Sequence, residues 1–366
     1  MSAWDLIVVG AGIVGAACAE AAARAGLRVA IIEPGPIGGA ATAASMGHLV
    51  ALDGNPAELA LACYSLQLWD GLVDVAQIEF NRCGTLWVAR NAKECALIPL
   101  RIRQLAAAGV HAEQVDAQAL YRLEPELAPR LAGGMHVPSD AVVYPPAAAR
   151  ELVRRAQHHG AQLFAGSRVD GLLEGGVQLD SGERLDGPVL VATGTTLQQL
   201  LPELPLCGRK GHLLITERYP GLLHHQILEI GYTDSAHGTS GSSVAFNAQP
   251  RPSGHVLLGS SREFDVTDSA VSPDILQRML ERALEFVPAL GGLRALRTWT
   301  GQRPTTPDGL PYLGAVPGRS NTWVAAGHEG LGVTTALGSA AVMLDLIRGR
   351  RPAIDPRPYA PSRMAS

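Results

Sequence analysis

The chain has 366 residues, of which 47% are hydrophobic and 17% charged, enough to bury one large core or two smaller ones. A net charge of −4 and the lack of any basic run exclude nucleic acid as an expected partner. The five cysteines (Cys18, Cys63, Cys83, Cys95 and Cys207) are scattered and odd in number, so no redox dithiol, zinc set or iron–sulfur ligand set is spelled out.

The most informative stretch comes first: "WDLIVVGAGIVGAACAEAAARAGLRVAIIE". Leu6 to Val9 is a continuous apolar run, as a strand buried on both faces requires. Gly10, Gly12 and Gly15 then spell G-x-G-x-x-G: a tight turn, a close backbone approach to a pyrophosphate, and a helix packed on a strand. An alanine-rich helix follows, runs to Arg24 and stops at Gly26. Its N-terminus, with Ile13 and Val14 in the first turn, turns N–H groups and positive partial charge toward phosphates. A second apolar run ends at Glu33, placed to accept hydrogen bonds from ribose hydroxyls. Strand, helix, strand and terminal acid in register predict dinucleotide binding.

"GPIGGAATAASMGHLV" (35–50) follows at once, with small residues that let backbone lie against a flat ligand. "GTLWVAR" (84–90) alternates apolar with polar, as does "SSVAFNAQP" (242–250), and both are expected to be one-sided antiparallel strands. "PVLVATG" (188–194) reads as a buried strand ending in Thr193-Gly194, and "HVLLGSSRE" (255–263) as a further strand. Ser272-Pro273 caps a helix through Phe286, with Pro288 beyond its end. "GQRPTTPDGLPYLG" (301–314) is too rich in proline and glycine for helix and too stiff for a linker. "WVAAGHEGLGVTTALGSAAVMLDLIRG" (323–349) is a strand, a glycine-rich turn and a helix starting near Val333. Three strand-to-helix junctions far apart in sequence can converge on one long cofactor.

Together these segments resemble the FAD-dependent D-amino-acid oxidase/dehydrogenase superfamily, in its glycine oxidase and sarcosine oxidase branch. The resemblance covers nearly the whole chain and keeps the order of the motifs. "GMHVPSDAVVYP", "VAFNAQPRPSGHVLLGSSRE" and "GHEGLGVTTALGSA" look most like bacterial D-hydroxyproline dehydrogenases. The fold class so implied is α/β: a Rossmann-type FAD-binding domain (1–80, 142–205, 299–366) interleaved with an α+β substrate domain built on an antiparallel sheet (81–141, 206–298). On the resemblance, FAD also meets Thr42, Ala43, Ala44, Met46 and Gly47, then Val169, Thr193 and Gly194. Gly301, Arg303, Gly327, Gly330, Leu331, Gly332, Val333 and Thr334 complete the implied set. Some members attach flavin through a cysteine in the C-terminal third; here the last cysteine is Cys207, so non-covalent FAD is expected.

With one G-x-G-x-x-G and no second nucleotide module, the electrons are expected to come from an organic substrate. The signature to seek is then a carboxylate anchor and a partner for the negative charge of reduced flavin. From the residues alone, Arg303 either forks onto a substrate carboxylate or pairs with Asp308 in its own segment. The resemblance implies the first, since "GQRP" matches the family's carboxylate-binding arginine. The glycines of "GHEGLGV" would turn helix N–H groups toward the flavin, or merely cap a core helix. His48 could line the substrate side, hydrogen-bond the flavin or accept a proton from a substrate ammonium; a structural role is the plainer alternative. His328 is a candidate pocket residue whose backbone matters more than its ring. Tyr232, Phe246 and Asn247 are further candidates for the pocket, with ordinary sheet packing the simpler account of each. His158-His159 and His224-His225 lack metal spacing, so no metal site is expected.

The leading expectation is FAD-dependent oxidation of a D-amino acid or cyclic secondary amino acid such as D-hydroxyproline, by hydride transfer from Cα to flavin N5. Alternatives are a glycine or sarcosine oxidase using O2, and an FAD-binding subunit of a larger electron-transfer complex. The expected partner is a small amino-acid or imino-acid substrate, with a homo-oligomer or a hetero-oligomer with an iron–sulfur subunit left open. No cationic leader is expected at the start, and the apolar stretches, short or broken by Gly and Pro, are expected to be too short to span a bilayer. A cytoplasmic protein is expected, with peripheral docking at the inner membrane face left open.

Overall fold

The computed structural model describes residues 3–52, 54–231 and 241–364. The opening strand, Leu6–Val9, lies inside a six-stranded sheet. In order the strands are Tyr312–Ala315, Thr322–Ala326, Val189–Val191, Leu6–Val9, Val29–Glu33 and Gln162–Ala165. All neighbours are parallel except Tyr312–Ala315, which runs antiparallel to Thr322–Ala326.

The unbroken apolar run has a plain cause. Leu6 and Val8 face a core shared with helices Ile13–Arg24, Pro145–His158 and Gly332–Ile347, whereas Ile7 and Val9 face a second core on the other side. That second face is covered by a small sheet of Val169–Leu173, Gly176–Leu179 and Arg184–Asp186. Each of the four side chains is buried, worth about 1.5–3 kcal/mol apiece. Alanines on the first helix let it approach its neighbours closely. Gly15 is needed for that approach, since a Cβ there would sit 2.0 Å from the Gly10 carbonyl oxygen.

The second sheet has eight strands, in the order Ala295–Thr305, Cys207–Arg218, His255–Glu263, Ser242–Pro250, Gln226–Glu229, Thr85–Ala89, Gly133–Val137 and Glu113–Asp116. It departs from the expected antiparallel sheet at one seam, where Gln226–Glu229 and Thr85–Ala89 run parallel. Thr85–Ala89 is also not one-sided. Leu86 and Val88 enter one core and Trp87 and Ala89 another, so its alternation separates two cores rather than core from water. Helix Pro273–Phe286 lies on this sheet through Ile275, Met279, Ala283 and Phe286, and Ser272 Oγ accepts the Ile275 N–H as its cap. Such a cap is worth about 1 kcal/mol.

The proline-rich stretch from Gly301 turns out to begin as strand. Ala295–Thr305 pairs along Cys207–Arg218 at the edge of the sheet, an edge being where proline is tolerated. The expected division at 298/299 therefore falls inside one strand. A two-stranded ladder, His48–Leu49 with Ala141–Val142, runs between loop and sheet.

Candidate active site

A cavity with about 1330 Å³ of empty space, counting its open mouth, lies between the two large sheets. One wall is built by Gly12 to Val14, Ala41, Thr42, Ala44 to His48, Ala192, Gly194 and Ala325 to Val333. The other comes from the eight-stranded sheet: Gly211, Leu213, Leu228, Asn247, Ser260, Arg262 and Gly301 to Pro304.

At the first end the Ile13 N–H donates to Thr42 Oγ1 at 3.0 Å, tying the helix N-terminus to the small-residue loop. Glu33 does not line the cavity. Its Oε2 accepts the Ala11 N–H at 2.7 Å and its Oε1 the Gly35 N–H at 2.8 Å, so it clamps both neighbouring turns. A second lone pair on each oxygen still suits a ribose hydroxyl. FAD fits these residues on two observations. A Cβ on Gly12, Gly194 or Gly330 would meet no protein atom closer than 3.3 Å, so a side chain there would fill the cavity itself. Thr193 Oγ1, beside Gly194, is buried with no protein partner.

Not every expected cofactor contact reaches the cavity. Gly10 and Gly15 pack the turn, Ala43 is exposed, and Val169 belongs to the core beneath the small sheet. Thr334 holds the loop from behind by donating its hydroxyl to the His48 carbonyl at 2.8 Å. Met46, Gly47, Ala44, Thr42 and the run Gly327 to Val333 all line the wall.

Arg303 lies on the wall, and its Nη1 donates to the Ser261 carbonyl at 3.0 Å. Gly211 across the ladder makes room for it, since a Cβ there would stand 2.4 Å from Nη1. The alternative pairing with Asp308 is not formed; Asp308 is bound by Arg363 at 2.7 Å. Next to Arg303 stand two residues that the sequence reading did not single out, Arg262 and Glu329. Arg262 Nε is 3.4 Å from Glu329 Oε1, and Glu329 Oε2 accepts the Gly330 N–H at 2.5 Å. Burial pushes the Glu329 carboxyl up, but Arg262, Arg303 and the Gly330 N–H outweigh it and hold it down at about 2.

His48 is fixed by a chain of amides. Gln226 Nε2 donates to the Ala141 carbonyl at 3.0 Å, which leaves Gln226 Oε1 facing His48 Nδ1. Nδ1 must then carry the proton, and in the neutral ring Nε2 accepts from Asn247 Nδ2 at 2.8 Å. Burial lowers the His48 pKa to about 4, with the Arg251 charge adding to it against the Gln226 bond. Of the roles open to it, His48 lines the cavity wall, with its Nε2 lone pair engaged by Asn247.

Asn247 lines the cavity but Phe246 does not. Successive strand residues point to opposite faces, and Phe246 stacks on Phe286 at 4.7 Å in the core behind. Tyr232 lies outside the described residues. His328 is buried at the cavity turn, with Nε2 3.0 Å from Ser339 Oγ, and burial lowers its pKa to about 4. Being below the ordinary 6.5, this neutral histidine contributes stability that is present above pH 6.5 and is lost as pH falls toward 4. Asp140 and Glu58, which burial raises to about 7, act oppositely in that window, so the variant difference is the clean measure. The Tm gap between wild type and His328→Asn is expected to be smaller at pH 4.5 than at pH 7.5; a gap independent of pH would refute the assignment.

Comparisons with known proteins agree with this geometry. Residues 5–346 match the family described as FAD dependent oxidoreductase. A glycine oxidase of Pseudomonas aeruginosa is 30% identical over 376 residues, covering 98% of each chain. A D-amino acid dehydrogenase of Rhizorhabdus wittichii is 29% identical over 287 residues, 74% of this chain and 65% of its own. Among solved structures, glycine oxidase from Geobacillus kaustophilus superposes with a TM-score of 0.87 at 26% identity over 99% of both chains.

Proposed function

We propose a substrate class from one premise: the chain belongs to the FAD-dependent oxidoreductase family and oxidises amines or amino acids with that cofactor. The substrate we assign is a small amino acid, either a D-amino acid or a cyclic secondary amino acid such as D-hydroxyproline. The observation that carries this reading is Arg303 on the cavity wall, next to the glycine-rich turn Gly327 to Gly332.

In this reading the guanidinium takes the substrate carboxylate through two parallel hydrogen bonds, which sets its angle as well as its charge. Met46, Leu213 and Leu228 give the cavity apolar walls that exclude water. His48 and Asn247 hold each other and present an uncharged polar face, so the amine is not deprotonated by a wall histidine. The chemistry supplied by bound FAD is acceptance of a hydride from the substrate Cα at N5, which leaves an imine. The helix beginning at Gly332 turns its N-terminal end, through Gly330 to Val333, toward the cavity, where positive partial charge favours the negative charge that reduction creates.

Anaerobic bleaching of the flavin by a panel of D- and L-amino acids, glycine, sarcosine and proline derivatives tests the assignment. D-amino acids or D-hydroxyproline are expected to bleach fastest, and silence across the panel would overturn it. The full-length likeness to glycine oxidase favours a second reading, a glycine- or sarcosine-type oxidase. For that reading glycine or sarcosine leads the panel, and admitted O2 returns the colour quickly.

A further inference from the structure

Three amide side chains, Gln226, Asn247 and Gln249, meet the His48 ring, and all three are fully buried. Asn247 and Gln249 occupy alternate positions of Ser242–Pro250 and so share a face, while Gln226 belongs to the neighbouring strand Gln226–Glu229. Two of the amides have their direction fixed by a group that can act in only one way. The Ala141 carbonyl only accepts, so it takes Gln226 Nε2 at 3.0 Å and turns Gln226 Oε1 to His48 Nδ1. The Arg251 guanidinium only donates, so it takes Gln249 Oε1 at 3.1 Å and turns Gln249 Nε2 to the same Nδ1, at 3.4 Å. His48 Nδ1 therefore lies between an acceptor and a donor, and each suits a different neutral tautomer. Burial keeps the ring neutral near pH 7, with the Arg251 charge adding to it. The Gln226 contact is the shorter of the two and selects the Nδ1–H form. Nε2 is then a lone pair and can take only the NH2 end of Asn247, at 2.8 Å. Asn247 Oδ1 is left buried with no hydrogen-bond partner among the described residues, on a side chain that lines the cavity. An acceptor so placed is costly unless a ligand N–H meets it.

We propose that Asn247 Oδ1 takes the N–H of the substrate amine, and that Gln226 is the positioning residue that turns this oxygen to the cavity by setting the His48 tautomer. This rests on the reading of the site as one for amino acids. The chemistry selected is an N–H donor next to a carboxylate. An ether or furan oxygen in its place would set two acceptors against each other. Without Gln226, Gln249 Nε2 would hold His48 Nδ1 as a lone pair, and the proton would move to Nε2. Asn247 would then turn its oxygen to the ring and its NH2 to the cavity.

The test compares pyrrole-2-carboxylate with 2-furoate, which share a flat ring and a carboxylate and differ in N–H against O. Neither has a hydrogen on the carbon bearing its carboxylate, so binding is read alone, from the perturbed flavin spectrum of the FAD-loaded protein. Wild type is expected to bind the pyrrole about tenfold or more tightly, the worth of a satisfied against an opposed acceptor. Equal affinities, the reverse order, or no binding of the pyrrole overturns the proposal. Asn247→Leu should bring the ratio near one; a ratio that survives belongs to another acceptor and overturns the proposal. Gln226→Leu should lower or reverse the ratio and move the ring 15N signals of His48 from the Nδ1–H to the Nε2–H pattern. Ratio and signals that both stay as in wild type overturn the role of Gln226. Should that variant not fold, the ring signals of wild type decide, since an Nε2–H pattern there overturns the proposal. If no amine reduces the wild-type flavin, the functional reading fails, and the pyrrole–furan ratio still decides whether this wall takes an N–H.

Discussion

An Arg303→Leu variant is expected to lose about a thousandfold in kcat/KM while retaining its flavin and its Tm. Truncating one partner of a buried, hydrogen-bonded charge pair costs about 2–5 kcal/mol, and each ~1.4 kcal/mol is tenfold. Within the protein Arg303 donates to the Ser261 carbonyl and acts on Glu329, which keeps Arg262 as a partner. An unchanged Tm beside the kinetic loss assigns that loss to the substrate rather than to the fold. Arg303→Lys separates charge from shape. Lysine keeps the cation but not the planar fork, so KM should rise strongly with a smaller total loss. Steady-state kinetics with the best substrate of the panel, beside the visible spectrum of the bound flavin, checks both variants. An unchanged KM in Arg303→Lys would remove the anchor role.

The second large effect is expected at Gly12, where valine should abolish FAD retention without unfolding the chain. Gly12 has φ −63 and ψ 173, an extended conformation open to any residue, so backbone strain is not the reason. Its Cβ direction decides the outcome. That atom would meet only Thr42 Oγ1, at 3.3 Å, and the two methyl groups beyond it would enter the space where the first helix presents its N–H groups. The ratio of visible to ultraviolet absorbance after purification reads retention, and circular dichroism reads the fold. A yellow, stoichiometric Gly12→Val protein would contradict the dinucleotide site.

Much of the first sheet was legible because its determinants are local. Leu6 to Glu33 carries strand, turn, helix and strand within a span where periodicity, glycine spacing and a terminal acid each report on neighbours a few residues away. Strands Ser242–Pro250 and His255–Glu263 and helix Pro273–Phe286 end where their patterns end. The candidate site was legible only as segments. "GHEGLGV" was read for its glycines, and nothing in it marked Glu329 as a partner of Arg262, 67 positions away. Arg262 stood in "SSRE" with no signal of which neighbour would face a cavity.

The sequence by itself determined that a dinucleotide turn opens the chain, that a buried parallel sheet follows from it, and that a guanidinium is carried by a stiff segment. Tertiary structure alone decided which side chains meet. Strand register chose Asn247 for the cavity and Phe246 for the core, because a shift of one residue would exchange them. It also settled His48, whose proton is placed by Gln226, 178 positions away, and whose basicity is lost to burial. Hydrogen bonds and desolvation act over a few ångströms of space, and the chain brings distant positions within that reach only when both sheets have closed around the cavity.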